Sequence, residues 1–130
     1  MSFKRERPWG WYRCICRGDN YAVKKIYVAP NQRLSLQYHN LREEHWTVVQ
    51  GSGTVTQGNI DTPCSAGSVF HIGIEQRHRL TGGENGVTII EVQRGTCKED
   101  DIIRLEDDYG RVQKNNIYAT INEYLSLIHI

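Results

Sequence analysis

A chain of 130 residues with 38% hydrophobic and 24% charged side chains is long enough for one domain with a real core and too short for two ordinary ones. Sixteen Lys and Arg against fifteen Asp and Glu leave a formal charge of +1, which offers no basic tract for nucleic acid, no acidic tail and no membrane-surface helix. The partners this leaves are a small molecule or a second copy of the chain.

The N-terminal stretch MSFKRERPWGWY starts basic but reaches no apolar h-region, and no later run approaches the roughly 20 apolar residues of a transmembrane helix, so a cytoplasmic protein is expected. Residues 1–20 read as an arm, with RPWGWY lying across a sheet edge. Short alternating runs bounded by Gly, Asn, Asp or Pro then predict strands at Tyr21–Val28, 33–39, 45–50, 53–56, 68–72, 78–80 and 88–93. Between them APNQ, GSG, QGNID, SAG and TGGENG supply turn chemistry. Helical periodicity is nearly absent, and this strand spacing predicts a single all-β domain over residues 21–112, a sandwich, jelly roll or barrel.

Beyond Gln93 the segment RGTCKEDDIIRLEDDYGR is charged, with isolated anchors at Ile102, Ile103 and Leu105; it reads either as a solvated edge that guards the sheet or as a contributor to a site. Residues 113–124 read as a C-terminal extension. The last six residues, LSLIHI, translate CTGTCTCTTATACACATC, which resembles the end of a transposon adaptor used in sequencing libraries. Residues 125–130 are therefore expected to be read-through, and His129 has no place in the functional reading. The cysteines Cys14, Cys16, Cys64 and Cys97 match no zinc-ribbon or redox spacing and read as reduced, idle thiols.

Polar groups concentrate in SLQYHNLREEHW. Strand alternation puts Ser35, Gln37 and His39 on one face; in the next strand Glu44, Trp46 and Val48 share a face, and His45, Thr47 and Val49 take the other. Glu44 then opposes His39 across the hairpin. In GSVFHIGIEQRHRL, a strand at 68–72, a tight turn and a returning strand bring His78 to the same height. Gln37, His39, Glu44 and His78 offer one amide oxygen, two imidazoles and a carboxylate, a set that suits one divalent ion such as Zn, Mn, Fe, Co or Ni. An ion held so, with positions open to water, polarises a sugar oxygen.

These spacings resemble the cupin superfamily, whose first motif is G-x5-H-x-H-x3,4-E-x6-G and second G-x5-P-x-G-x2-H-x3-N. Glu44 and Gly51 keep the E-x6-G spacing, and Gly67 with His78 keeps the span of the second motif. Asn31 stands near the first glycine, Leu41 replaces the second histidine, Gly73 and Glu75 replace the proline and glycine, and Gly82 falls where asparagine would. A narrower family fits better. Over Arg7 to Arg111 the stretches RPWGWY, YAVKKIYV, LSLQYHNLREEHWTVVQGSGTV, HRL, IIEVQRG and EDDIIRLEDDYGR resemble the cupin domain of type II mannose-6-phosphate isomerases, often fused behind a mannose-1-phosphate guanylyltransferase. The family's form Q-x-H-x-x-R-x-E-H-W requires no histidine at Leu41.

The resemblance implies a jelly-roll cupin pairing as a homodimer, with Gln37, His39, Glu44 and His78 as metal ligands. It also implies conversion of mannose 6-phosphate to fructose 6-phosphate through an enediol, within GDP-mannose biosynthesis. Arg79, beside His78, is expected in catalysis and Arg42 in substrate binding, since both bring fork-shaped donors near the ion. Glu91 shares a strand face with Ile89 and Gln93, and an inward carboxyl there would have its pKa raised toward that of a useful base. Lys24 and Lys25 point to opposite faces, so one of them reaches the cavity; the family's YKVKRI form places its lysine at Lys24, assigned to catalysis, with Lys25 assigned to substrate. His45 and His71 lack motif support and read as structural, and Trp9, Trp11 and Trp46 as core or as braces of the arm. Two competing readings are a sugar-phosphate or sugar-nucleotide binding module without turnover, and a cupin of another chemistry such as a dioxygenase or keto-sugar isomerase. The sequence contains no glycine-rich phosphate loop, so nucleotidyl transfer is not expected of it.

Overall fold

The computed structural model describes residues 3–112. The expected extension at 113–124 and the read-through at 125–130 lie outside the described residues. No helix occurs among those described, and none is therefore long and apolar enough to cross a membrane. The nine strands are β1 (Arg5–Arg7), β2 (Gly10–Arg17), β3 (Tyr21–Val28), β4 (Leu36–Tyr38), β5 (Arg42–Gln57), β6 (Ile60–Ser65), β7 (Val69–Ile72), β8 (His78–Gly95) and β9 (Ile103–Glu106). All pair antiparallel in one curled sheet. The all-β expectation holds.

Two long strands organise the sheet. β5 and β8 stay paired from Arg42↔Gly95 to Gln57↔His78, with register shifts at Val48/Gln50 and Gly51/Gly53. One half of β5 also pairs with β7 and the other half with β6, while β8 pairs with β3 near its end and with β4 at its start. The pair thus bends across its own middle, and the sheet closes over one core. Gly51 permits the bend: its φ is +79°, and a Cβ there would lie 2.1 Å from the Gly86 carbonyl oxygen.

The sequence pattern divides these strands differently. The stretches expected at 45–50 and 53–56 are one strand, as are those at 78–80 and 88–93, with TGGENG inside β8 rather than in a turn. Glycine clusters mark bulges as well as turns, and here the bulged ladder continues through them. The stretch at 33–39 pairs as a strand only over Leu36–Tyr38, with an isolated bridge from Arg33 to Thr81. β6 was not expected as a strand; its Pro63 is tolerated because, among the described residues, β6 pairs with β5 along one edge alone. Residues within the expected arm form β1 and β2, and β2 lies along β3 from Gly10↔Val28 to Arg17↔Ala22.

Alternation gives the inner face two ends of different character. Across it run Val28, Val48, Val55, Leu80, Val87 and Ile89, all buried, each contributing about 1.5–3 kcal/mol by leaving water. Toward the other end the same strands present Lys24, Glu44, His78, Glu91 and Gln93, also buried. The register lines them up: Lys24 faces Glu91, Glu91 faces Trp46, and Gln93 faces Glu44. Buried ionisable groups are costly unless paired, so this end is where chemistry is to be sought. Cys14, Cys16, Cys64 and Cys97 are all unpaired thiols.

Candidate functional site

His39 follows β4, Glu44 lies on β5 and His78 opens β8, three segments far apart in sequence. Their imidazole and carboxylate ligand atoms lie within 4.8 Å of one another. His39 Nε2 is 3.2 Å from Glu44 Oε2, His78 Nε2 is 3.6 Å from Glu44 Oε1, and the two rings are 5.0 Å apart. The turn between β7 and β8 aims His78, whose Nδ1 lies 2.8 Å from the Gln76 carbonyl oxygen. His39 Nδ1 lies 2.7 Å from the Asp101 carbonyl oxygen. A carbonyl only accepts, so each Nδ1 carries the proton and each Nε2 presents a lone pair toward Glu44.

That arrangement fits a divalent cation. His78 Nε2 is buried and has no hydrogen-bond partner among the described residues, and two lone pairs beside a carboxylate need a positive charge between them. Burial lowers His39 to a pKa of about 4, against the pull of Glu44 and with help from Arg42 and His78; burial likewise lowers His78, so both rings are neutral, as metal ligands must be. Arg42 supplies part of the compensating charge: its Nε donates to Glu44 Oε2 at 3.0 Å, and its Nη2 lies 3.3 Å from His39 Nε2. Trp46 Nε1 donates to Glu44 Oε1 at 3.1 Å.

Gln37 stands beside this cluster with its amide nitrogen 3.5 Å from His39 Nε2, while its oxygen accepts from Ser35 Oγ at 2.6 Å. Ligation through oxygen requires the amide to turn over, which the Ser35 hydroxyl tolerates because it donates or accepts.

Glu91 hydrogen-bonds Glu44. Burial, then the neighbouring Glu44 charge, pushes the Glu91 pKa well above its usual value, against Lys24 and Arg42. Burial alone would raise Glu44 too, but the bond from Glu91 and the Arg42 guanidinium, joined in acid by His39 and His78 where they are protonated, hold it below the ordinary carboxylate range. The pair therefore holds one proton, on Glu91, and one negative charge, on Glu44.

Glu44, Glu91, Gln37, Lys24, Arg42 and Gln93 line a cavity of about 310 Å³, with Trp9, Tyr12 and Trp46 among its walls. Lys24 reaches it by alternation, with Nζ 2.6 Å from Glu99 Oε1. Lys25 is a correction: it lies on the opposite face of β3, with Nζ 5.9 Å from the Trp11 ring, because adjacent strand residues point opposite ways. Arg79 is a second. His78 turns inward, so Arg79 turns away; its Nε donates to the Leu34 carbonyl at 2.9 Å and Nη1 approaches Glu106, and it is absent from the cavity wall. Arg42 does line the cavity, but its Nη1 donates to the Lys98 carbonyl and its other donors hold Glu44 and His39, so it orients the cluster rather than waiting for substrate.

The sequence pattern does not single out Glu99 or Asp101, though both belong to the charged segment after Gln93, whose role at the site it left open. Asp101 orients His39 and accepts the Asn40 and Leu41 amides through its carboxylate. Nor does it pick out Arg7, Arg104 and Arg111, which line the same cavity; Arg104 Nε is buried without a partner among the described residues.

The family model described as mannose-6-phosphate isomerase, C-terminal, matches residues 1–107. The alginate biosynthesis protein AlgA of Pseudomonas aeruginosa is 46% identical over 107 residues, covering 81% of this chain and 22% of that protein. The xanthan biosynthesis protein XanB of Xanthomonas campestris pv. campestris is 44% identical, covering 81% and 23%, and the mannose-1-phosphate guanylyltransferase ManC of Salmonella typhimurium is 41% identical, covering 82% and 22%. The chain spans less than a quarter of the length of these relatives. Among solved structures, the capsular polysaccharide assembling protein CapF of Staphylococcus aureus superposes with a TM-score of 0.72 at 17% identity, covering 82% of this chain and 33% of that one. An RmlC-like cupin from Shewanella frigidimarina superposes at 0.68 and 15% identity, covering 77% and 88%. A sequence match over most of its length and a cupin-type curled sheet carrying the His39, Glu44 and His78 cluster place the chain in the mannose-6-phosphate isomerase C-terminal family, with a cupin fold.

Proposed function

We propose that this domain is a metal-dependent sugar-phosphate isomerase that interconverts mannose 6-phosphate and fructose 6-phosphate through an enediol. The observation that carries the reading is one buried constellation: two neutral imidazoles, set behind the cavity wall, aimed at an ionised carboxylate beside a second carboxyl that keeps its proton, with both carboxyls lining the cavity.

Gln37, His39, Glu44 and His78 would hold the ion, which when bound draws electron density from the sugar's carbonyl and hydroxyl oxygens. Glu91 handles protons. Its protonated form gives a proton to the ring oxygen as the ring opens, while the anomeric hydroxyl proton leaves to water. The resulting carboxylate takes the proton from C2 and returns it to C1, as the hydroxyl proton moves from O2 to O1. No oxidant or further reactant enters. Lys24, opposite Glu91 in the ladder, favours the ionised form of Glu91 at that moment. Arg104, with an Nε that has no partner among the described residues and with Arg7 and Arg111 on the same cavity wall, suits the phosphate. Trp9 and Trp46 wall the cavity with apolar surface and limit its water.

A coupled assay for fructose 6-phosphate formation tests this on the chain stripped with a chelator and then reloaded with divalent metal. The expected result is turnover lost on stripping and restored on reloading. Mannose 6-phosphate binding without turnover by the reloaded chain would favour the non-catalytic binding module instead.

A further inference from the structure

The outer face of the sheet carries a second group of metal-type side chains, unconnected with the cavity. In β5 the inward residues are Glu44 and Trp46, so Glu43 and His45 share the outer face. His45 sits directly opposite His71 of β7, and their rings are 4.7 Å apart. Both Nε2 atoms converge on one oxygen: His45 Nε2 is 2.8 Å and His71 Nε2 3.3 Å from Glu43 Oε1. All three ligand atoms lie within 4.8 Å of one another.

A carboxylate only accepts, so both contacts are hydrogen bonds from Nε2–H, and an ion displaces these two protons as each imidazole moves its proton to Nδ1. Ligand atoms about 2.0–2.1 Å from a tetrahedral ion stand roughly 3.3 Å apart. The spacing comes from the backbone, because residues i and i+2 on one strand and a directly paired residue on its neighbour form a fixed triangle. The side chains are accessible, with His45 46% and His71 57% exposed, so an ion enters without opening the fold. One competitor is present: Arg94, paired with Glu43 across β5 and β8, has Nη1 3.9 Å from Glu43 Oε1. At that distance it is no hydrogen bond, and the guanidinium is free to swing into solvent.

We propose that Glu43, His45 and His71 form a second divalent-metal site on the outer face of the domain, with three protein ligands and the remaining positions filled by water. Two imidazoles and one carboxylate select Zn, Cu, Ni or Co over Mg or Ca. The ion ties β5 to β7. β7 leads into the turn whose Gln76 carbonyl orients His78, so the tie braces one ligand of the inner cluster from outside.

The test is calorimetric titration of the full chain with Zn alone, read in parallel by the imidazole nitrogen NMR signals of His45 and His71. Expected are one zinc equivalent that shifts both sets of signals, and a loss of at least about tenfold in affinity for that equivalent in His45→Gln and in His71→Gln. The equivalent persists in His39→Gln, which touches only the inner cluster, and Arg94→Ala tightens it by freeing Glu43. Circular dichroism confirms that the exposed-site variants keep the native fold. Signals of His45 and His71 that stay unmoved in excess zinc, or folded His45→Gln and His71→Gln chains that bind zinc with unchanged stoichiometry and affinity, would overturn the site.

Discussion

The carboxyl pair sets the chemistry at the scale of single residues. Glu91 and Glu44 are both buried and hydrogen-bonded, yet their surroundings push them apart, one toward keeping its proton and the other toward losing it. Glu91→Gln keeps the shape and the hydrogen-bonding capacity but cannot pass a proton, so kcat for mannose 6-phosphate should fall about 10²–10⁴-fold with KM little changed. Steady-state kinetics by the coupled assay check this; an unchanged kcat would remove Glu91 from the reaction. Alternation groups Glu44 with Trp46, and Glu91 with Ile89 and Gln93, on shared faces, but which of the two faces turns inward is set by packing. Alternation also fixes that one of Lys24 and Lys25 faces in, but not which. Arg79 misled for a related reason: being next to His78 in a strand means pointing the other way. Arg104 was illegible, since only β9 pairing with β4 brings the charged segment back over the cavity.

At the scale of elements, the bend in the β5–β8 pair holds the site together, because it lets β8 carry His78 at one end and Glu91 further along. Gly51→Ala puts a side chain on a backbone of positive φ and drives its Cβ into the Gly86 carbonyl oxygen. A loss on the order of 2 kcal/mol is expected, read as a lower urea midpoint. Leu80→Ala, at a fully buried position on the apolar half of the same strand, should cost about 2–5 kcal/mol in the same measurement. The individual short strands were readable from their alternation, whereas their fusion across glycines was not, because a glycine run is equally the signal of a turn and of a bulge. β2 was missed as a strand for another reason: its residues grade from half-buried to exposed with no alternation, as its place beyond β3 dictates.

For the whole molecule, acid is the condition that opens the turn by which the late segment closes on itself. Asp107 accepts Arg111 Nε at 2.8 Å, Arg111 Nη2 at 3.1 Å and the Arg111 amide at 2.6 Å. Burial raises its pKa, but these bonds outweigh burial and hold it below the usual value. A folded-state pKa below the unfolded value of about 3.9 means that the stabilisation is present above that pH and is lost as pH falls through the folded value. Asp107→Asn should therefore cost about 1–2 kcal/mol at pH 7, with the gap to the parent chain closing below about pH 4, as urea unfolding at several pH values will show. The account as a whole stands on the inner cluster, and the most direct measurement is the bound metal of the His71→Gln chain, whose outer site is silenced, with and without His39→Ala and His78→Ala. After loading with zinc and desalting, elemental analysis should find one equivalent in the first and none in the second; equal metal in both would contradict the inner cluster as a metal centre.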